Sequence, residues 1–82
     1  MLIVWDEPKR LANLAKHGFD FRDLDEAFFV RSVIIPARVR RRKAVGLFAG
    51  TTIVVIFSHL GTEALSIISM RKAKAYERRL LE

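Results

Sequence analysis

Two windows of this chain concentrate side chains that grip anions. The closing window carries Arg71, Lys72, Lys74, Arg78 and Arg79, with Tyr76 and Glu77 among them. The second, RVRRRK at 38–43, supplies Arg38, Arg40, Arg41, Arg42 and Lys43. Guanidinium and ammonium groups stay charged at neutral pH and bond phosphate oxygens, so both windows suit a phosphate-bearing partner. For proton transfer the chain offers His17, His59, Glu77, Tyr76 and, if its pKa is depressed, a lysine. There is no cysteine, no metal-ligand spacing, no Gly-rich phosphate loop and no nucleophile–His–Asp arrangement. Most other enzyme classes lose their footing on that silence.

The charge is unevenly spread. Residues 1–30 hold four Lys/Arg against six Asp/Glu, a net of −2, and residues 31–82 hold eleven against three, a net of +8. The two sum to the chain's +6. Basic charge gathered in one half is the footprint of an anionic partner, nucleic acid first, although a solvated basic surface gives the same composition.

Eighty-two residues make one domain, spanning 1–82, and the 51% apolar content can supply its core. No signal peptide is visible, and the absence of cysteine fits a cytoplasmic chain. Residues 44–62 contain no Asp, Glu, Lys or Arg, close to the length of a membrane span. Their glycines, threonines and internal turn signal a hairpin instead, so no membrane partner is expected.

These side chains need elements to hold them. MLIVW at 1–5 reads as a short strand. Asp6 caps a helix with Pro8 in its first turn and Gly18 as its stop, placing Leu11, Leu14 and Ala15 on one face. A second helix starts at the cap Asp20, with Phe21, Leu24, Ala27 and Phe28 toward the core. Ser32–Pro36 is a short edge strand. Ala44–Phe48, Thr51–Ser58 and Ala64–Met70 form an antiparallel meander, and the last strand runs directly into a basic helix beginning at Arg71. The expected fold is α+β, β-α-α-β-β-β-β-α, with helices on one face of an antiparallel sheet. Trp5, Phe19 and Phe28 read as core, and Tyr76 as a core anchor with a wet hydroxyl.

With those elements in place, WDEPKRLANLAKHGFDF at 5–21 resembles the WDxxKxxxNxxKHGxxF opening of the BrnT family of type II toxin–antitoxin toxins. IISMRKAKAYERRLLE from Ile67 resembles that family's closing IISARKAxxxERRxYE, and VGLFAG and TTIVVIF resemble its strands. The resemblance implies a RelE-like fold, an RNA-cleaving activity that inhibits translation, and neutralisation by a cognate antitoxin. That antitoxin would be a small ribbon-helix-helix DNA-binding protein, with operator DNA bound only through the complex.

A metal-free ribonuclease must deprotonate a ribose 2′-hydroxyl, stabilise the phosphorane and protonate the leaving 5′-oxygen. Arg71, in the closing motif, is the first candidate for holding the developing charge, followed by Arg41 and Lys43. Glu77 and His17 are the acid–base candidates. Glu77 equally suits a structural salt bridge, and His17 equally suits a helix C-cap. Lys43, Arg42, Arg40, Lys72, Lys74 and Arg78 are expected to contact RNA.

Four positions depart from the family pattern. Arg40-Arg41 stands where a Glu-Arg pair is usual, Leu60-Gly61 where Arg-Gly is common, Ser66 where the strand reads RIIS, and Leu81 where the closing Tyr falls. Each change removes a polar or charged group that could have contacted RNA or served as an acid or base. The rival reading is therefore a catalytically attenuated module that only binds RNA or the antitoxin. A DNA-binding regulator is a weaker rival, because no recognition helix is evident.

Overall fold

The computed structural model describes all 82 residues. Strand β1 (Leu2–Trp5) leads into helix α1 (Glu7–His17), a single 3-10 turn at Phe21–Asp23 and helix α2 (Glu26–Arg31). Strands β2 (Val33–Pro36), β3 (Arg42–Phe48), β4 (Thr51–Leu60) and β5 (Ala64–Lys72) follow. A short helix α3 (Ala75–Arg78) and a 3-10 turn at Arg79–Leu81 close the chain. The α+β class stands.

The sheet order is β1-β5-β4-β3-β2. The sheet is mixed rather than antiparallel, because β1 pairs parallel with β5, Leu2 opposite Ala64 and Trp5 opposite Ile67. Such a pairing needs the long crossover that α1, α2 and three strands provide. β3 and β4 are joined by Ala49-Gly50, both at positive φ (49° and 81°), a two-residue turn whose twist matches the strands. In β5, Ile68 is an extra residue. Ile56 pairs with Ser69 but Phe57 pairs with Ile67.

Alternation divides the sheet into two faces. Ala44, Ile53, Val55, Phe57, Leu65, Ile67 and Met70 face the N-terminal helices and pack with Phe21, Leu24, Phe28 and Phe29. Gly46 lies on this face because Phe28 and the Ser32 hydroxyl of the α2 end occupy the space a Cβ would need. Val45, Val54 and Ala73 make a smaller cluster on the opposite face, with Ile56 and Leu81 against it. The C-terminal segment therefore covers the other side of the sheet, not the side expected for all helices.

Three further differences have physical causes. The helix expected from Asp20 is split: Asp20 caps only the 3-10 turn, Leu24 is extended, and Asp25 starts α2 by accepting from the Phe28 N–H at 2.9 Å. Three aspartates that all favour N-caps compete for one short segment. The C-terminal helix begins four residues later than Arg71. The ten-residue β4 pairs Val54 with Arg71 and Ile53 with Lys72, and this pairing overrides the helical propensity of RKAKA.

The third difference is the rotation of α1. Arg10 and Asn13 are buried, whereas the Leu11, Leu14 and Ala15 stripe is exposed. Arg10 forks onto Glu7 (2.7 and 2.7 Å) and reaches Asp20 (3.1 Å), and Asn13 reaches β5. Polar bonds outrank the apolar stripe in setting this helix's rotation. Residues 44–62 form most of the β3–β4 hairpin, and no helix is long and apolar enough to cross a membrane.

Candidate functional site

Arg71 and Lys43 project from β5 and β3 on the face covered by α3, since Arg71 pairs with Val54 and Lys43 with Ile56. Between them lies Glu77, the third residue of α3 and fully buried. Arg71 donates two parallel bonds to its carboxylate, Nη1 to Oε1 at 2.8 Å and Nη2 to Oε2 at 3.0 Å. Lys43 Nζ donates to Oε2 at 3.0 Å, and the Lys74 N–H donates to Oε1 at 2.8 Å. The last bond also caps α3, so one carboxylate starts a helix and joins two strands through their cations.

The electrostatics follow from this geometry. The Arg71 guanidinium, helped by the Lys74 N–H and by Lys43, holds the Glu77 carboxyl far below the ordinary carboxylate range despite its burial. Hydrogen bonding to Glu77 pushes the pKa of Arg71 up, and hydrogen bonding to Glu77 and Tyr76 does the same for Lys43. All three groups are ionised at neutral pH. Lys43 is thus the opposite of a lysine with depressed pKa.

Tyr76 is 53% exposed and is no core anchor. Its hydroxyl accepts from Lys43 Nζ at 3.3 Å, and the ammonium sits 5.6 Å from its ring centroid. Beside this cluster opens a cleft of about 420 Å³ lined by Pro36, Ala37, Arg38, Arg41, Lys43, Ile56 and Arg71. The structure brings together Arg71, Lys43 and Arg41, drawn from β5, β3 and the β2–β3 loop. Arg38, which the same basic window contains, joins them.

Other candidates lie elsewhere. His17 is half-buried in a separate recess with Lys16, Asn13, Ile68 and Ser69 on the α1 side of β5. Arg40 and Arg42 line a second recess, with His59, across the β2–β3 loop from the cleft. Lys72 and Lys74 are exposed outside the cleft lining, and Arg78 is tied to the Ala73 carbonyl at 2.9 Å.

The residue that sequence reasoning missed is Asn13. Its amide donates to the Met70 carbonyl (2.9 Å) and the Phe19 carbonyl (3.1 Å), and its oxygen accepts from the Met70 N–H (3.1 Å). It replaces a neighbouring strand where β1 has ended, one residue before Arg71. The available signal was the Asn in the matched NLAKHG segment, an amide spaced to share the inner face with Arg10.

This fold and cationic cleft occur in a chain whose residues 5–77 match the profile of "Ribonuclease toxin, BrnT, of type II toxin-antitoxin system". The crystal structure of the Brucella abortus ribonuclease toxin, BrnT, superposes with a TM-score of 0.86 at 52% identity, covering 90% of this chain and 97% of that one. A comparison with curated proteins gives no match. The chain belongs to the BrnT family of type II toxins. Membership implies an antitoxin partner and an RNA substrate.

Proposed function

We propose that the chain is a metal-independent endoribonuclease of RelE-like type that cuts RNA in the cytoplasm and so inhibits translation. The observation that carries this reading is the Arg71–Glu77–Lys43 cluster at the wall of a cleft lined by four cations. The scissile phosphate sits in that cleft. Attack by the 2′-hydroxyl forms the O2′–P bond and breaks P–O5′, leaving a 2′,3′-cyclic phosphate and a 5′-hydroxyl. Arg71, Lys43 and Arg41 stabilise the charge on the phosphorane, and fixed cations of this kind supply the largest share of catalysis.

Glu77 acts here as a positioning residue, not as a base. Its oxygens are occupied by Arg71, Lys43 and the Lys74 N–H, and it fixes both cations in one orientation. The Tyr76 hydroxyl accepts from Lys43, which lines the cleft, and its own O–H donates to the leaving 5′-oxygen. The 2′-proton passes to water. His17 lies in the other recess and takes no part in this scheme.

A second reading rests on a specific observation. The lining of the cleft holds no histidine and no carboxylate. An attenuated protein that binds RNA or antitoxin without cutting is the alternative. Incubation of single-stranded RNA with purified protein in excess chelator separates the two. Fragments ending in a cyclic phosphate support the enzyme; intact RNA bound with strong salt dependence supports the binding module. The partner we propose is a ribbon-helix-helix antitoxin, with operator DNA reached only through the complex. Co-purification with the adjacent small reading frame tests it.

A further inference from the structure

The β2–β3 loop has cationic recesses on both sides. Arg38 and Arg41 line both, while Arg40, Arg42 and His59 line only the second, which measures about 490 Å³. The two recesses open on opposite faces. Arg42 pairs with Phe57 of the core face, and the exposed His59 ring stands edge-on to Phe57 at 5.7 Å.

Two independent features make the second recess costly to keep. Arg38, Arg40, Arg41 and Arg42 have no carboxylate within ion-pair distance, although Arg10, Arg22, Lys43 and Arg71 all do. Four guanidiniums within five residues repel one another. Arg40 also adopts φ 63° in the turn closed by the Arg41 N–H to Arg38 carbonyl bond (2.8 Å), a conformation suited to Gly or Asn. Strained, unpaired cations at a loop tip are a device for holding an anion.

We propose that this second recess binds a phosphate several nucleotides further along the RNA strand, with the His59 ring as a platform for the adjoining base. The strand leaves the Arg71–Lys43 cleft, crosses the loop between Arg38 and Arg41 and ends against Arg40 and Arg42. This rests on the RNA-binding reading of the first cleft and extends its footprint to the other face of the sheet.

The test uses 2′-O-methyl oligoribonucleotides, which cannot be cut, of three and ten nucleotides. The double variant Arg40→Asn/Arg42→Gln keeps a residue that tolerates positive φ, and its melting curve establishes that it folds. Expected is about a tenfold loss of affinity for the ten-mer, none for the three-mer, and a salt slope shallower by about 1.4. His59→Ala is expected to weaken only the ten-mer, about fivefold. Undiminished ten-mer binding, or equal losses on both lengths, overturns the second recess and leaves the first cleft standing. A wild-type protein that binds neither oligonucleotide overturns both.

Discussion

Arg71 and Glu77 meet fork to fork, at 2.8 and 3.0 Å, across the six residues that turn β5 into α3. The carboxylate is buried completely, while the Arg71 side chain keeps 17% of its surface exposed. The pair therefore has an anchored end and a working end. Anything bound in the cleft meets a guanidinium whose direction has been set from beneath.

Removing the anchor leaves two cations facing each other. Glu77→Ala also strips the Lys74 N–H of its acceptor. Breaking a buried pair by deleting one partner costs about 3–5 kcal/mol, and the partial exposure of Arg71 and Lys43 places this case near about 3. Urea unfolding at pH 7 checks it. A loss under about 1 kcal/mol would show that solvent already screens the cluster.

Acid should weaken the protein in a defined window. Hydrogen bonds from Arg10 foremost hold Glu7 at about 2, below its ordinary 4.5, and bonds from Arg22 foremost hold Asp20 at about 2, below 3.8. Glu77 lies further down, held chiefly by Arg71. A carboxyl with a depressed folded pKa adds stability above its unfolded value and loses it as pH falls toward the folded one. The urea midpoint is thus expected to be level above about pH 5 and to fall steadily below it. Glu77→Gln removes one of the three contributions, so its curve falls less steeply below pH 4.5.

Under the proposed function the same fork governs activity. Arg71→Ala is expected to lower metal-free RNA cleavage about 10²–10³-fold, the usual loss for one donor to a developing oxyanion. Arg71→Lys keeps the charge but cannot bond Glu77 with two parallel donors, so it recovers only part of the rate. Cleavage rates of the two variants, measured in chelator, provide the check. Equal rates in Arg71→Ala and wild type would move the scissile phosphate out of this cleft.

Asn13 carries an equally specific expectation. Asn13→Ala leaves the Met70 N–H and carbonyl without their partners at the β5 edge. Buried unpaired groups cost about 1–3 kcal/mol each, and part of that returns if water enters, so a loss of about 2–3 kcal/mol is expected. Hydrogen exchange at the Met70 amide should quicken with it. Protection equal to wild type would show that another group replaces the side chain.

One position offers a gain. Ala49 holds φ 49° in the Ala49-Gly50 turn, where Asn is far better suited. Ala49→Asn is expected to stabilise the hairpin by about 1 kcal/mol. Thermal unfolding measures it, and a lowered midpoint would contradict the turn assignment.

Much of the fold is legible in the sequence. The caps at Asp6 and Gly18, the edge strand ending at Pro36 and the alternating β3–β4 hairpin are local signals, and the structure has them where the side chains put them. What failed depended on distant partners. RKAKA at 71–75 has helical propensity, but β4 reaches far enough to pair with Arg71 and Lys72, and nothing near them in sequence tells of it. Likewise Asn13 turns inward because Met70 lacks a strand beside it, a vacancy created by the length of β1. The cations of the cleft were readable as types. Their division between two faces required the strand register.

The parallel pairing of β1 with β5 joins residues 62 positions apart, Leu2 with Ala64. A growing chain therefore emerges with its first strand unpaired and must hold it so until β5 has been made. Arg71 and Glu77 come later still, and Lys43 has no counter-ion until they arrive. The cluster is accordingly the last part of this sheet to be completed: a chain made only as far as β4 carries Arg38, Arg41 and Lys43 but neither Arg71 nor the carboxylate that orients it.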